Sequence, residues 1–300
     1  MHVVSRDTIV YAMSAQNKPV LNVEPGSQIQ FQTWDCFQAQ VTSAGKGFDG
    51  VDWNRVNPAT GPVYVNGAEP GDVLSVKIDS IEIEQQGVAV CGKDMGTMGA
   101  SFTESTIKII PIKDNMAHFS ESLHLPINKM VGVIGVAPAS GEVSCGVPDL
   151  HGGNMDCKEI TDGATVLLPV NVPGALLAMG DIHAVMADGE IGVTGLEVNG
   201  SVTVTVTVIK QAKGKELPLP MVLNKHCVMT IASDADLDIA ADMAVSNMVG
   251  YLTKNEGFTL ADAVMLCSLA ADVRICQIVD PKKTIRVEFP RKYLTNGGVV

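Results

Sequence analysis

The sequence predicts a mainly β protein, with a sandwich or barrel body and a smaller α+β unit at its C-terminal end. Three observations carry this prediction. Short apolar stretches fill the first 230 residues, turns containing Gly and Pro separate them, and helical periodicity is confined to the last 70 residues. At 300 residues the chain is long enough to bury a core without disulfides or metals. We therefore divide it into a β-rich body, 1–230, and an α+β subdomain, 231–300.

Strand patterns are clearest in the body. In residues 201–208, four valines alternate with three threonines, and a period of two on β-branched residues is typical of a half-buried antiparallel strand. Residues 73–83 alternate as well, but their apolar phase shifts midway, which predicts a β-bulge near 79–80. Apolar runs bounded by Gly and Pro predict buried strands at 130–137 and 164–170.

Helical patterns appear only near the end. An acidic, cap-rich segment precedes apolar residues at helical spacing, which predicts a helix over 238–252. Thr259 and Asp262 resemble a capping box and predict a second helix that continues to residue 271. Alternating segments at 273–279 and 285–289 then predict two closing strands.

Composition excludes several classes of function. Acidic residues outnumber basic ones 33 to 21, for a formal net charge of −12. Nucleic acids and anionic membranes require a basic surface, so we expect neither as a partner. No apolar run approaches the about 18 residues of a transmembrane helix. The first residues lack the apolar core of a signal peptide, and the seven cysteines include no Cys-x-x-Cys pair. We therefore expect a cytoplasmic protein.

Acidic and histidine residues concentrate between positions 151 and 190. His151 and Asp156 flank two glycines, where the backbone can approach a ligand closely. Asp181 and His183 are two residues apart, so in a strand they project to the same side. Together with Glu190 they offer the ligands of zinc or a similar divalent cation. Any one of them alone is more simply a solvated turn residue or a structural histidine, but the set favours a site.

Asp35 lies between Trp34 and Cys36, among residues typical of a protein core, where an unpaired carboxylate is costly. Metal coordination or a buried hydrogen-bond network would satisfy it, and the sequence leaves both open. A glycine-rich loop at 92–99 could close over a pocket. No cysteine has a compelling base nearby in the sequence, so we interpret the cysteines as small buried hydrophobic residues.

Several segments together resemble the acetamidase/formamidase family, in order and spacing along nearly the whole chain. The segments are 33–37, 57–65, 67–72, 152–156, 180–184, 189–190, 272–275 and 279–281. The resemblance implies a jelly-roll-like β body with smaller mixed subdomains. It also implies hydrolysis of short aliphatic amides to a carboxylate and ammonia, with a small-molecule amide as substrate.

Site roles follow from this resemblance together with the residue chemistry. A divalent metal would activate water and polarise the amide carbonyl, and the mixed oxygen and nitrogen donors favour zinc, with calcium as the second choice. Glu190 is the expected proton shuttle, and Asn154 is expected to hydrogen-bond the amide or the oxyanion. Cys36 and Thr97 complete the expected substrate contacts. The expected metal ligands are Asp35, His151, Asp156, Asp181 and His183.

Two other functions stay open at this stage. One is a covalent amidase that uses Cys145 or Cys157, and the other is a non-catalytic, metal-stabilised protein that binds a small ligand. We also expect a homodimer or a higher homo-oligomer, because 46% of the residues are hydrophobic and only 18% are charged.

Overall fold

A computed structural model describes residues 1–46, 48, 50–211 and 216–295. Over these residues the protein is mainly β with two C-terminal α-helices, which confirms the predicted fold class. The helices are α1 (Leu237–Lys254) and α2 (Leu260–Ala270), and short 3-10 helices cover Trp53–Arg55, Gly99–Ser101 and Arg291–Tyr293. The strands are β1 His2–Val4, β2 Ile9–Val10, β3 Ala12–Ser14, β4 Leu21–Val23, β5 Gln28–Thr33, β6 Gly45–Lys46, β7 Ala59–Val65, β8 Val73–Ile83, β9 Gln86–Cys91, β10 Thr106–Lys113, β11 Met116–His118, β12 His124–Pro126, β13 Met130–Gly135, β14 Glu142–Ser144, β15 Gly152–Asn154, β16 Thr165–Pro169, β17 Leu177–His183, β18 Glu197–Val198, β19 Gly200–Ile209, β20 Met221–Leu223, β21 Cys227–Asp234, β22 Asp272–Gln277 and β23 Lys283–Pro290.

The first sheet has nine strands in the order β1-β5-β19-β8-β16-β20-β21-β23-β22. Its long strands β8 and β19 pair antiparallel, as their alternating sequences predict. Thr203 lies opposite Ser80 and Val204 lies opposite Ile78, so Asp79 is an extra residue in β8. The predicted bulge is therefore confirmed.

The second sheet has twelve strands, and its main path runs β12-β11-β10-β9-β18-β17-β13-β15, with β7 also paired to β17. The two sheets enclose one core, in which Phe31 and Val204 of the first sheet join Ile134 and Ile182 of the second, all fully buried. Every residue of β17 is buried. Polar side chains on this central strand are thus enclosed by protein.

Both predicted helices are confirmed, and their caps explain where they begin. Asp236 accepts hydrogen bonds from the first backbone N–H groups of α1, and Thr259 accepts one from Asp262 in α2. The helices share a second core with β21 and β23.

Residues 230 and 231 both lie within β21, so one sheet continues across the predicted boundary, and the division into two units stays a prediction. Within the described part of the chain, no helix is long and apolar enough to cross a membrane.

Candidate active site

Acidic side chains from separate parts of the chain meet a single imidazole at the end of β17. Asp181 and His183 belong to β17, and Glu197 in β18 lies directly opposite His183 in the antiparallel pair. The other contributors follow strands or lie in loops. They are Asp156 after β15, Glu190 before β18 and Asp280 after β22.

The imidazole of His183 is the centre of this cluster. Its Nε2 atom lies 3.1 Å from Glu197 Oε1 and 3.5 Å from Asp181 Oδ2. The same atom lies 3.9 Å from Glu190 Oε1 and 4.0 Å from Asp156 Oδ1. Asp181 and His183 thus do face one pocket, as their spacing of two residues predicts.

Two glycines make room for this crowding. A Cβ atom at Gly132, in the neighbouring strand β13, would lie 2.5 Å from both Asp156 Oδ1 and Asp181 Oδ2. A Cβ atom at Gly195 would lie 2.7 Å from Nδ1 of His183. Real Cβ atoms do not approach other atoms so closely, so larger side chains at these positions would displace the carboxylates or the ring.

Three of the clustered carboxylates lie on strained backbone. Asp156, Asp181 and Glu190 have φ angles of 43°, 57° and 45°, in the left-handed region that side-chain-bearing residues rarely adopt. Such backbone persists only where the surrounding structure enforces it, and it concentrates at functional sites. The strain supports a functional reason for the placement of these three side chains.

Burial and mutual repulsion keep several carboxyl groups from ionising readily. Burial, and next the charge of Asp156, raises the pKa of Glu190 well above its usual range. Burial also raises the pKa of Asp156 and of Asp280, with repulsion from neighbouring carboxylates adding to it. The pKa of Glu197 rises to about 7, mainly because it is buried. At neutral pH this cluster therefore holds protons, unless a cation compensates its charge.

His183 and Asp181 shift the other way, toward their charged forms. Burial alone would lower the pKa of His183, but Glu197 and Asp181 outweigh it and hold that pKa well above its ordinary value. Burial opposes ionisation of Asp181, yet the adjacent His183 lowers its pKa. In the absence of a metal, the imidazolium thus serves as the cation of the cluster.

The residues present fit a divalent cation. Four buried oxygens, Asn154 Oδ1, Asp156 Oδ1, Asp181 Oδ1 and Glu197 Oε2, have no hydrogen-bond partner among the described residues. Buried acceptors of this kind ordinarily have a partner. Ligand atoms of Asp156, His183 and Glu190 lie within 4.8 Å of one another. Carboxylate oxygens with one imidazole nitrogen form a donor set that zinc accepts, and the excess of carboxylates also suits calcium.

The cluster opens into a half-open cavity of about 260 Å³. Asn154, Asp181, His183, Glu190, Glu197 and Asp280 form its polar wall. Asn154 donates from Nδ2 to Asp280 at 2.9 Å, which directs its carbonyl oxygen elsewhere. Ligands that enter from solvent would therefore meet the carboxylates and the imidazole directly.

Two residues that were predicted as ligands lie apart from these contacts. Asp35 is buried, and its Oδ1 accepts hydrogen bonds from the backbone N–H groups of Phe37 and Ala39, at 3.0 and 2.9 Å. That is the buried network which the sequence left open for it. His151 is also buried, and desolvation lowers its pKa to about 4, so it is neutral; its Nε2 has no hydrogen-bond partner among the described residues. Neither belongs to the two groups of closely spaced ligand atoms found among the described residues.

The predicted substrate contacts are divided. Cys36 lines the cavity, and its Sγ lies within 4.8 Å of ligand atoms of Asp181 and Glu197. Burial raises the pKa of this thiol well above its usual range, so it is protonated. Thr97 is exposed and donates from Oγ1 to the carbonyl of Ile191 at 3.1 Å. It thereby ties the 92–99 loop, which lines the cavity through Asp94 to Gly96, to the residue after Glu190.

The two alternative nucleophiles lie elsewhere. Cys145 and Cys157 are buried and are not among the residues that line the cavity. Cys145 donates to the carbonyl of Val10, and burial raises the pKa of its thiol to about 12. The thiol of Cys145 is therefore protonated and a poor nucleophile. The hydrogen bond with Cys276 lowers the pKa of Cys157, but that thiol is fully buried and does not line the cavity.

Sequence reasoning missed Glu197 and gave no role to Asp280. Glu197 stands between Leu196 and Val198, and a carboxylate inside an apolar strand is the same signal that drew attention to Asp35. Asp280 carried no such signal. It reaches the site because Gln277 Oε1 accepts from the backbone N–H groups of Val279 and Asp280 and so fixes the turn after β22.

The loop that carries Glu190 is anchored by a buried arginine. Arg286 in β23 is 1% exposed and donates to both carboxylate oxygens of Asp188, at 2.7 and 2.9 Å. The N–H of Gly189 donates to the carbonyl of Cys276 at 2.9 Å. Such a two-pronged ion pair fixes orientation as well as distance. The C-terminal strands β22 and β23 thus position Glu190 as well as Asp280.

Fold and site together define a mainly β protein, built on two large sheets, with a buried carboxylate–histidine centre that is suited to a divalent cation. A sequence model of the Acetamidase/Formamidase family matches residues 15–144 and 141–293. The chain therefore belongs to the acetamidase/formamidase family, and the resemblance noted in the sequence is confirmed.

Solved structures and curated relatives support the same family membership. The acetamidase of Bacillus halodurans superimposes with a TM-score of 0.96 at 41% identity, over 99% of this chain and 100% of that one. The recombinant predicted acetamidase/formamidase of Thermoanaerobacter tengcongensis gives a TM-score of 0.93 at 44% identity, over 97% and 96%. The formamidase of Methylophilus methylotrophus is 26% identical over 255 residues, 64% of this chain and 62% of that protein. The matches span about three fifths of the length of the curated relatives.

Proposed function

We propose that the protein hydrolyses primary amides to a carboxylate and ammonia. The observation that carries the proposal is the group formed by Asp156, His183 and Glu190, buried at the end of a cavity of about 260 Å³. Family membership supports the same activity, since relatives are named formamidase and acetamidase. An amide resists water because its carbonyl is a poor electrophile and its nitrogen a poor leaving group, so the site must assist at both atoms.

Asp156, Asp181 and His183 would hold a divalent cation, for which we favour zinc over calcium. When bound, such a cation lowers the pKa of water and polarises the substrate carbonyl. Asp35 stays outside this set, because its Oδ1 already accepts two backbone hydrogen bonds. His151 stays outside as well, since it belongs to neither group of closely spaced ligand atoms.

The chain's own residues would move the protons. Glu190 accepts a proton as water attacks the carbonyl carbon, and it returns that proton to the departing nitrogen. A carboxyl group with a raised pKa suits both steps. Asn154 Oδ1 has no partner among the described residues and can accept a hydrogen bond from the amide N–H, while Asp280 holds its Nδ2 group. Glu197 orients the imidazole of His183.

The test is ammonia release from formamide, acetamide and propionamide, measured before and after dialysis against a chelator. We expect release to stop on chelation and to return with zinc. Chelator-treated protein that retains full activity would contradict the metal assignment. Full metal content without ammonia from any amide would instead favour the non-catalytic binding protein.

Cysteine chemistry has its own control. The metal-loaded protein is treated with a thiol-alkylating reagent, and its metal content and ammonia release are then measured. We expect both to survive, because Cys145 and Cys157 are buried away from the cavity. Loss of activity with retained metal would support the covalent alternative only if Cys145→Ser or Cys157→Ser reproduces it, because alkylation of Cys36 in the cavity would also block the site.

We also propose a homodimer or a higher homo-oligomer in the cytoplasm. Helix α2 supports the assembly, because Leu260, Met265 and Leu269 on its surface are 67%, 54% and 83% exposed. All seven cysteines are free thiols, which supports a reducing compartment. Light scattering on the protein at micromolar concentration tests the assembly, and the mass of a single chain would contradict it.

A further inference from the structure

Apolar side chains also line the cavity, besides the carboxylates and the imidazole. They are here called the acyl wall and comprise Phe37, Trp53, Val56, Val90, Val193 and Val279. Formamide and acetamide carry no group, or only a methyl group, that could cover such a surface. The hydrolytic centre alone does not explain why the wall is apolar.

The acyl wall is also firmly built. Trp53 lies in a 3-10 helix whose start is capped by Asp52, and the N–H of Asp52 donates to Gln40 at 2.9 Å. The N–H of Asn57 donates to the carbonyl of Cys36 at 2.7 Å, which ties the segment bearing Val56 to the one bearing Phe37. The wall therefore has a defined shape before any ligand arrives.

Three aromatic rings of the cavity lining, those of Phe37, Phe48 and Trp53, pack against one another. The Phe48 ring stacks near Phe37, with centroids 6.0 Å apart, and meets Trp53 edge-on at 5.2 Å. Trp53 nevertheless remains 51% exposed. When an apolar group covers large aromatic side chains that line a pocket and are exposed to water, the free energy of the complex is lowered.

From these observations we infer that the preferred substrates are primary amides whose acyl group is apolar and larger than methyl, a branched alkyl or an arylalkyl group. The inference rests on the proposed hydrolysis and names its substrate class. Water oxygen bonds to the carbonyl carbon, the carbon–nitrogen bond breaks, and the nitrogen leaves as ammonia after taking a proton. The acyl group stays against the acyl wall, while the amide reaches the carboxylates.

A series of amides with one leaving group tests the inference. Ammonia release is measured for formamide, acetamide, butyramide, isovaleramide and phenylacetamide on the metal-loaded protein. Each added methylene that is buried should raise kcat/KM about fourfold. If acetamide or formamide has the highest kcat/KM, the substrate class is wrong while the hydrolysis stands. If no amide releases ammonia, the proposed hydrolysis itself fails.

Variants then locate the effect. Trp53→Ala should lower kcat/KM on phenylacetamide about tenfold more than on acetamide. Val56→Thr, which keeps the side-chain volume, should shift the ratio in the same direction even if removing the indole disturbs the loop. Tyr293→Ala is the matched control, because Tyr293 is 50% exposed and does not line the cavity. An unchanged ratio of the two kcat/KM values in both wall variants would overturn the inference.

Discussion

The protonation of single side chains determines what this site can do. Glu190 is buried, faces other carboxylates and so holds its proton more tightly than an exposed glutamate does. His183, surrounded by carboxylates, is held in its charged form when no metal is present. Glu190 is therefore suited to proton transfer. At His183, a bound cation could supply the positive charge that the imidazolium otherwise supplies.

Single substitutions of Glu190 and of His183 should separate the chemical step from metal binding. Glu190→Gln keeps the shape but cannot carry the proton, so we expect full metal content and a kcat lower by about 10²–10⁴-fold. His183→Ala should lose metal and activity together, because a methyl group cannot replace an imidazole ligand. Metal analysis with ammonia assays on the same samples checks this. The exposed Glu82→Gln is the control and should change neither quantity.

A glycine supplies a second prediction about single residues. Gly132→Ala would place a methyl group 2.5 Å from carboxylate oxygens of Asp156 and Asp181. We expect metal affinity to fall at least tenfold while the fold is retained. Gly250→Ala in helix α1 meets nothing within 4 Å and should leave metal affinity unchanged. Equal metal affinity in both variants would mean that the two carboxylates do not share the cation.

Contacts between secondary-structure elements fix the position of Glu190. The loop that bears Glu190 has backbone hydrogen bonds of its own and is also anchored to β23 by the Asp188–Arg286 ion pair. Glu288 on the same strand also accepts from Arg286, at 2.7 Å. A nearly buried guanidinium with two carboxylates is well compensated, so it can define a position.

Asp188→Asn should therefore loosen this loop. Small displacements of a reacting group cost large factors in rate, and we expect kcat to fall about 10- to 100-fold with KM changed less than twofold. Asp272→Asn, which breaks the exposed ion pair with Arg274, is the control and should be neutral. A melting curve on each variant shows whether the loss exceeds the unfolded fraction. A kcat loss no larger than that fraction would reduce Asp188 to a purely structural residue.

Elements with a strong local pattern were predictable from the sequence. Residues 201–208 and the bulge near Asp79 are fixed by alternation, and Thr259 fixes the start of α2 by its own hydrogen bond. The same alternation predicted that Asp181 and His183 face one side, and both line the cavity, although Asp181 departs from extended backbone with a φ of 57°. Asp280 did not, because its approach to the site depends on the pairing of β22 with β23 and on Gln277.

Asp35 shows the limit of composition as a guide. A carboxylate in an apolar setting needs a partner, and the sequence does not distinguish a metal ion from hydrogen-bond donors. The choice is made by a turn in which Phe37 and Ala39 present their N–H groups, and no periodicity in the sequence predicts that turn.

The whole molecule is acidic, and part of its acidic residues form a buried centre. Its formal net charge is −12, and several of its acidic groups are held together inside. Groups whose folded pKa is raised bind more protons in the folded than in the unfolded state, so their contribution to stability is lost as pH rises.

Metal-free protein should therefore lose stability between about pH 6.5 and 8. His183 and Glu190 carry this loss, because their folded pKa values lie well above the ordinary values of 6.5 and 4.5. Glu197, with a pKa raised from 4.5 to about 7, adds a loss that is complete near pH 7. His151, with a pKa lowered from 6.5 to about 4, acts in the opposite direction, but mainly between those two values and so below this range. Urea denaturation of chelated protein at several pH values measures the trend. Added zinc should reduce it, and a stability that rises with pH in the chelated protein would be the opposite result.

We propose that the buried centre around His183 hydrolyses primary amides with a bound divalent cation. The most direct measurement is ammonia release as metal-free protein is titrated with zinc, in parallel with His183→Ala. We predict that release rises in proportion to bound metal and reaches a plateau, and that the variant neither binds the metal nor releases ammonia. Full metal content and full amide hydrolysis in His183→Ala would contradict the claim and place the site elsewhere.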